Sequence, residues 1–529
     1  MRELDPRSLT LEQKLGLLMV ADLTYHREEL PLALQMIREH RLGAVWIQPE
    51  REESTETLRL VLEAADYPIL IMCDSELGYL DTRIPDVNSM SAVSDGARIA
   101  RAFGRANAAI LRRRGYNVIC NPVIDVAADK TLPCGGNTRS FGYDVDTIVT
   151  LASAMACGLH EGGVLTVAKH YPFVRNDYDT HMREGLLTLS REEVLGTAFA
   201  AFCRLIADGH IDGIMTGHTR FPKIDPEEPT SLSAAMVSLA REAGFDGFIT
   251  TDALNMMGIL AKHGRREPLA MAVRAGNDIP LNMGLSLKDS YEGLREAYDR
   301  GEVTAARVED ALAHVLAAQH KAALLPENPP VLEADLLEIA RLHCECVSAV
   351  TEEGLTPSIS REGKHLFTIV TNARADEFSK EYTPGPRDWF FPRRIEKRLR
   401  ELFPKSDVTL LPVNPEGVDN APYLHKQREF DDVVFITFYQ TTAYTGREHL
   451  TIRITELMDA LQATDRIAAH LHFGNPFVAA DAPYIPRVLL GYSSEACVYH
   501  TLEILAGNAP ALGRCPYTIP FHKKGDLLS

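Results

Sequence analysis

Two short runs concentrate groups able to do chemistry: Ala168-Lys169-His170-Tyr171-Pro172 and, shortly after it, Asp179-Thr180-His181. A lysine, two imidazoles and two carboxylates, Asp177 and Asp179, fall within this span. An apolar pattern at 164–167 enters the stretch and a polar loop leaves it. Catalytic groups gather where a rigid strand hands them to a loop that can still move. Asp179 and His181 are two residues apart, so in an extended loop both side chains fall on one side. A carboxylate so placed can fix an imidazole's tautomer and raise its basicity. On residue types alone, the group suits a proton relay or a metal site.

The elements that must position these groups alternate in kind. Short apolar runs at 43–47, 69–73, 118–122, 164–169, 213–217, 247–251 and 278–282 read as strands. Amphipathic patterns at 89–114, 144–161, 191–207 and 234–243 read as helices between them. Continuously apolar strands separated by helices imply a parallel sheet covered on both faces. Seven or eight such units in the first three hundred residues fit a TIM-type (β/α)8 barrel. Helical patterns at 305–324 and 334–350, interrupted by Pro326, Pro329 and Pro330, mark the exit from it. A smaller α/β layered sandwich domain is expected next, with strands at 366–371, 408–411, 433–438, 468–473 and 487–491. The expected layout is therefore a barrel over 1–330, a helical linker over 331–354 and a second domain over 355–529.

A barrel requires functional side chains to cluster just after the strands, and the sequence meets that demand. Asp74 and Glu76 follow the second strand, Asp125 the third, and Lys169 and His170 close the fourth. His218 and Arg220 follow the fifth and Asp252 the sixth, while Asp278 stands at the start of the seventh. Arg139 lies in a Gly-Asn-Thr-Arg-Ser-Phe-Gly loop that could bring its guanidinium over the same face. Each has a plainer reading: acids after strands often cap helices, a lone histidine is more often a satisfied interior group, and a surface arginine pairs with any acid. Recurrence at the same end of successive strands favours function.

The full chain of 529 residues has a formal net charge of −18, which argues against a nucleic-acid partner and an anionic membrane surface. No basic segment followed by an apolar one opens the sequence, and no apolar run approaches a membrane span. Nine cysteines without a paired framework suit reduced thiols in the cytoplasm. His343-Cys344-Glu345-Cys346 has the look of a metal tract, but it sits in a helical pattern with no second ligand cluster nearby, which reads as a structural helix. No metal or cofactor is called for.

These residues resemble glycoside hydrolase family 3, especially its bacterial β-N-acetylglucosaminidase branch. The branch's Lys-His-Phe-Pro-Gly and Asp-Ser-His resemble Lys169-His170-Tyr171-Pro172-Phe173 and Asp179-Thr180-His181. Its Ser-Asp-Asp-Leu-x-Met resembles Thr251-Asp252-Ala253-Leu254-Asn255-Met256, and its Arg-Ser-Phe-Gly turn matches 139–142. Further likenesses lie at 119–126, in Met215-Thr216-Gly217-His218, and in the second domain at Gly474-Asn475-Pro476 and 491–496. The resemblance implies a retaining glycosidase with Asp252 as nucleophile, His181 as acid/base and Asp179 orienting it. It implies sugar binding by Asp74, Arg139, Lys169, His170 and His218.

Three departures stand out. The family's Asp-x-Glu-Gly-Gly-Arg-Val appears as Asp74-Ser75-Glu76-Leu77-Gly78-Tyr79-Leu80, without one glycine and the arginine. The catalytic loop carries Phe173-Val174-Arg175-Asn176 where glycines are usual and is about one residue shorter. The second acid of the nucleophile segment is Ala253. Two alternatives accompany the hydrolase: a phosphorylase, because a neutral imidazole would not repel phosphate and Arg175 could assist it, and a catalytically weakened sugar-binding sensor.

Overall fold

The computed structural model describes residues 3–126, 138–173, 179–196, 199–371, 390–439, 449–524 and 526. Internal contacts divide the chain into two units. The first comprises Met1–Arg83, Ala97–Ala128 and Tyr143–Glu338; the second comprises Ile84–Gly96, Asp129–Gly142 and Ile339–Ser529.

The first unit is a TIM-type α/β domain. Its strands are β1 (Val20–Asp22), β2 (Ala44–Trp46), β3 (Leu70–Cys73), β4 (Val118–Ile119), β5 (Leu165–Tyr171), β6 (Gly185–Leu186), β7 (Gly213–Thr216), β8 (Thr219–Arg220) and β9 (Phe248–Thr251). Seven of them form one parallel sheet in the order β1-β2-β3-β4-β5-β7-β9, and β6 pairs with β8 separately. Every residue of the seven sheet strands is buried, which is why they read as unbroken apolar runs rather than as alternation. Close approach is built in at Gly43, just before β2, where a Cβ would stand 1.9 Å from the Leu17 carbonyl oxygen.

Two elements differ from the pattern expected from sequence. The first strand, β1, has three residues and follows the helix Leu11–Gly16 so closely that the apolar run hides the change of element. The segment 278–282 carries no strand ladder. It borders β9 through irregular bonds instead: Asp278 and Ile279 both donate to Ile249 O, and Leu281 donates to the Thr251 hydroxyl oxygen at 3.1 Å. Asp278 is fully buried and accepts from Arg241 (2.7 Å), Arg307 (2.5 Å) and the Ile249 N–H (2.8 Å). A side chain thereby takes over bonds that a backbone ladder would make.

The second unit carries β10 (Ser348–Thr351), β11 (His365–Val370), β12 (Asp407–Leu411), β13 (Asp432–Tyr439), β14 (Ile467–Gly474) and β15 (Arg487–Gly491). They form one sheet in the order β10-β15-β14-β13-β11-β12, parallel except for the edge strand β10. One apolar cluster joins Leu366, Phe435 and Leu490 of the sheet to Met458 of the helix Ile452–Gln462. The helix expected over 334–350 stops at Glu345, and Ser348–Thr351 becomes the edge strand. Its Ser-Ala-Val-Thr composition suits a half-buried strand and resists extension of the helix. The His343–Cys346 tract lies at the end of that helix, as expected. Cys497, far along the chain, brings its Sγ to 3.5 Å from that of Cys346, and both thiols are buried.

Among the described residues no helix is long and apolar enough to cross a membrane. The Asp278 arrangement yields a test. Asp278→Ala leaves Arg241, Arg307 and the Ile249 N–H without that acceptor, at an expected cost of about 3 kcal/mol. Urea unfolding of the variant measures this, and a loss below about 1 kcal/mol would show that solvent replaces the carboxylate.

Candidate active site

The carboxyl ends of β3, β5, β7 and β9 gather the expected groups in the first unit. Lys169 is 1% exposed, and its Nζ lies 2.5 Å from Asp74 Oδ1 and 2.6 Å from Glu76 Oε1. Adjacent residues of a regular strand point to opposite faces, yet Lys169 and His170 both reach this site. The reason is local: the register of β5 against β7 shifts between Lys169 and Tyr171. Such an irregularity re-aims a side chain. Beyond the end of β4 the chain stays beside β5, with Lys169 N donating to Pro122 O and Ile124 N to Lys169 O. Asp125 is thereby delivered to His170, taking its Nδ1 at 2.8 Å and its backbone N–H at 3.3 Å.

His170 Nε2 then lies 3.9 Å from Asp252 Oδ2. Asp252 begins the turn after β9, where its N–H donates to Thr216 O at 2.8 Å and its Oδ1 accepts from Ala253 N at 2.8 Å. Burial alone would raise this carboxyl, but His170, His218 and His181 outweigh it and hold the group down at about 2. The carboxylate is a standing anion, suited to attack as a nucleophile and unsuited to donate a proton.

His218 is fully buried, and both ring nitrogens face protein groups: Nδ1 the Ser231 hydroxyl at 2.8 Å, and Nε2 the Ala253 carbonyl oxygen at 3.0 Å. Burial pushes its imidazole below the usual range. A neutral ring donating from Nε2 to Ala253 O and accepting at Nδ1 from Ser231 satisfies all partners. His218 therefore steadies the peptide that follows Asp252.

The Asp179–His181 pair forms as its spacing implied. Asp179 Oδ1 lies 2.8 Å from His181 Nδ1 and accepts the His181 N–H at 2.9 Å. The pair is moored to the segment after Asp252: Met257 N donates to His181 O at 3.3 Å, and Gly258 N to Thr180 O at 3.2 Å. A Cβ on Gly258 would meet Thr180 O at 3.2 Å and Arg183 O at 3.4 Å, so the glycine lets the two segments approach. Residues 174–178, which include Asp177, Arg175 and most of the glycine-poor run, lie outside the described residues. Phe173 is described; it is buried, and its ring lies 6.0 Å from that of Phe221.

A model of the glycosyl hydrolase family 3 N-terminal domain matches residues 10–318. The chain belongs to that family. A β-hexosaminidase of Tolumonas auensis is 30% identical over 247 residues, which is 44% of this chain and 71% of that one. Among solved structures, the family 3 β-N-acetylglucosaminidase of Paenibacillus sp. str. FPU-7 superposes with a TM-score of 0.78 at 22% identity, covering 97% of this chain and 99% of its own. The β-glucoside phosphorylase BglX gives a TM-score of 0.81 at 23% identity, covering 96% and 94%. Both likenesses speak for the fold alone.

Within this family 3 chain, Asp74, Lys169, His170, His181, Asp179, His218 and Asp252 lie in the first unit, whereas Arg139 belongs to the second. Arg139 is half-buried in a turn held by Thr138 O, which accepts from Val87 N at 2.8 Å, and by Phe141 O, which accepts from Ser91 Oγ at 2.5 Å. Sequence reasoning noted Asp125 and Glu76 without giving them a role; their partners, His170 and Lys169, are distant in sequence. One cluster with metal-like spacing, Asp278, Asp310 and His314, occurs among the described residues. Its central carboxylate is already divided between two guanidinium groups, which disfavour an added cation.

The electrostatics of Asp252 set a pH test. A carboxyl lowered from 3.8 to about 2 stabilises the fold above its unfolded value and loses that contribution as pH falls towards 2. The stability of the wild type relative to Asp252→Asn should therefore fall by about 2 kcal/mol between pH 4 and pH 2. Urea unfolding across that range measures the difference. A gap that stays constant would mean the imidazoles do not hold the charge.

Proposed function

We propose that this family 3 glycosidase releases a terminal β-linked N-acetylhexosamine from a small carbohydrate substrate with retention of configuration. The observation that carries the reading is an ionised Asp252 under the electrostatic influence of His181, whose Nδ1 is taken by Asp179. Similarity to β-hexosaminidases supports the choice of sugar.

In the first step an Asp252 oxygen attacks the anomeric carbon and forms an ester-like bond as the bond to the leaving oxygen breaks. His181 gives that oxygen its proton from Nε2, since Asp179 engages Nδ1. In the second step His181 takes a proton from water, the water oxygen attacks the anomeric carbon, and the Asp252 carboxylate departs. Asp74, Lys169 and His170 serve as the grip on sugar hydroxyls. A hydroxyl that leaves such a buried group unpaired forfeits about 1–3 kcal/mol, which is enough to select a configuration. The second reading, phosphorolysis, draws on the acid/base being an imidazole, which when neutral does not repel phosphate as a carboxylate would.

Hydrolysis of an aryl β-N-acetylglucosaminide tests both readings. The wild type should release free sugar whose first-formed anomer is β, and Asp252→Ala should lower kcat at least about a thousandfold. Sugar 1-phosphate formed only with added phosphate would replace hydrolysis by phosphorolysis. Equal, negligible turnover by wild type and variant would leave a sugar-binding sensor. Cytoplasmic residence is supported by buried free thiols such as Cys346 and Cys497, and recovery outside the cytoplasm on cell fractionation would contradict it.

A further inference from the structure

Three exposed apolar side chains lie on the segments that carry and adjoin the Asp179–His181 pair. Met182 directly follows His181 and is 52% exposed, while Met257, bonded through its N–H to His181 O, is 47% exposed. The Gly258–Thr180 bond holds the two methionine-bearing segments side by side. Leu186, 46% exposed, stands on β6 a few residues on. That ribbon is fixed by Glu184, whose carboxylate takes Arg220 Nε at 2.8 Å and Nη2 at 2.9 Å. The fork-to-fork pair neutralises its own charges, so the ribbon presents Leu186 without a competing charge from that pair.

We propose that Met182 and Met257, with Leu186, form the subsite for the leaving group, and that this group is an aromatic aglycone. The inference rests on the glycosidase reading with His181 as acid/base. A proton donor must lie about 3 Å from the oxygen it protonates, so the first atoms beyond that oxygen fall among the neighbours of His181. A sugar in that position would present hydroxyls to thioethers and a leucine, which offer weak acceptors or none. An aromatic ring gains there from burial and from sulfur–aromatic contact, and methionine adapts its shape to rings of different outline. Exposed apolar side chains gathered at a catalytic rim mark a binding surface better than scattered ones do.

The test uses the full chain labelled with 13C-methyl methionine. Signals of Met182 and Met257, assigned from single Met→Gln variants, should move on titration with phenyl 1-thio-β-N-acetylglucosaminide and stay put with its methyl counterpart. In parallel, the ratio of kcat/KM for the phenyl glycoside to that for the methyl glycoside should fall about tenfold, ~1.4 kcal/mol, in the Met182→Gln/Met257→Gln double variant. Both side chains are exposed, and an unchanged thermal midpoint confirms the fold of the variant. Methionine signals that ignore the phenyl group, or a ratio that does not change, would overturn the subsite. Signals that move in a protein cleaving neither glycoside would instead overturn the glycosidase reading and leave the apolar subsite standing.

Discussion

An ammonium group removed from water must be neutralised where it stands, or the fold carries several kcal/mol of uncompensated charge. Lys169 is in that position, 1% exposed within the barrel, and the loop after β3 meets the need with Asp74 and Glu76. This contact ties the end of β5 to a loop some ninety residues earlier. It also fixes the rest of the site by succession. With Lys169 held, the irregular register of β5 turns His170 toward Asp252, and the continuation of β4 brings Asp125 against the other side of the same ring. An alternating line of charges results, in which each carboxylate has a cation or an imidazole on its flank.

The two halves of the proposed chemistry sit on supports of different kinds. Asp252 is clamped by a backbone bond to Thr216 and by the His218–Ala253 contact beside it. The Asp179–His181 pair lies on a loop that accepts backbone bonds from Met257 and Gly258. A nucleophile needs a fixed line of attack, whereas an acid/base group must approach a leaving group of variable shape. Placing one on a strand end and the other on a loop meets both demands.

Much of this was legible in the sequence for an identifiable reason. Parallel strands buried on both faces must be continuously apolar, so their ends, and the polar residues just beyond, stand out in the text. The Asp179–His181 contact is local and follows from spacing alone. The illegible parts depend on partners far apart in the chain or on elements too short to announce themselves. The three residues of β1 vanish into a preceding apolar run, and the irregular segment at 278–282 carries the composition of a strand without its ladder. Asp125 could not be matched to His170, nor Cys346 to Cys497, because each pairing is decided by the strand order and not by local pattern.

His218 illustrates why a functional residue can be found for an incomplete reason. Its place after β7 marked it for the site, and the structure puts it there, yet its nitrogens face Ser231 and Ala253. A neutral, buried imidazole contributes little charge of its own while it remains neutral; its effect is to hold the Ala253 carbonyl and hence the angle at which Asp252 leaves β9. The alanine at 253, which departs from the acid usual in the family, bears on the same point. A second carboxylate next to Asp252 would add like charge to a group that burial already opposes. With alanine there, the imidazoles of His170 and His181 act on a single carboxylate, and Asp252 stays ionised despite its surroundings.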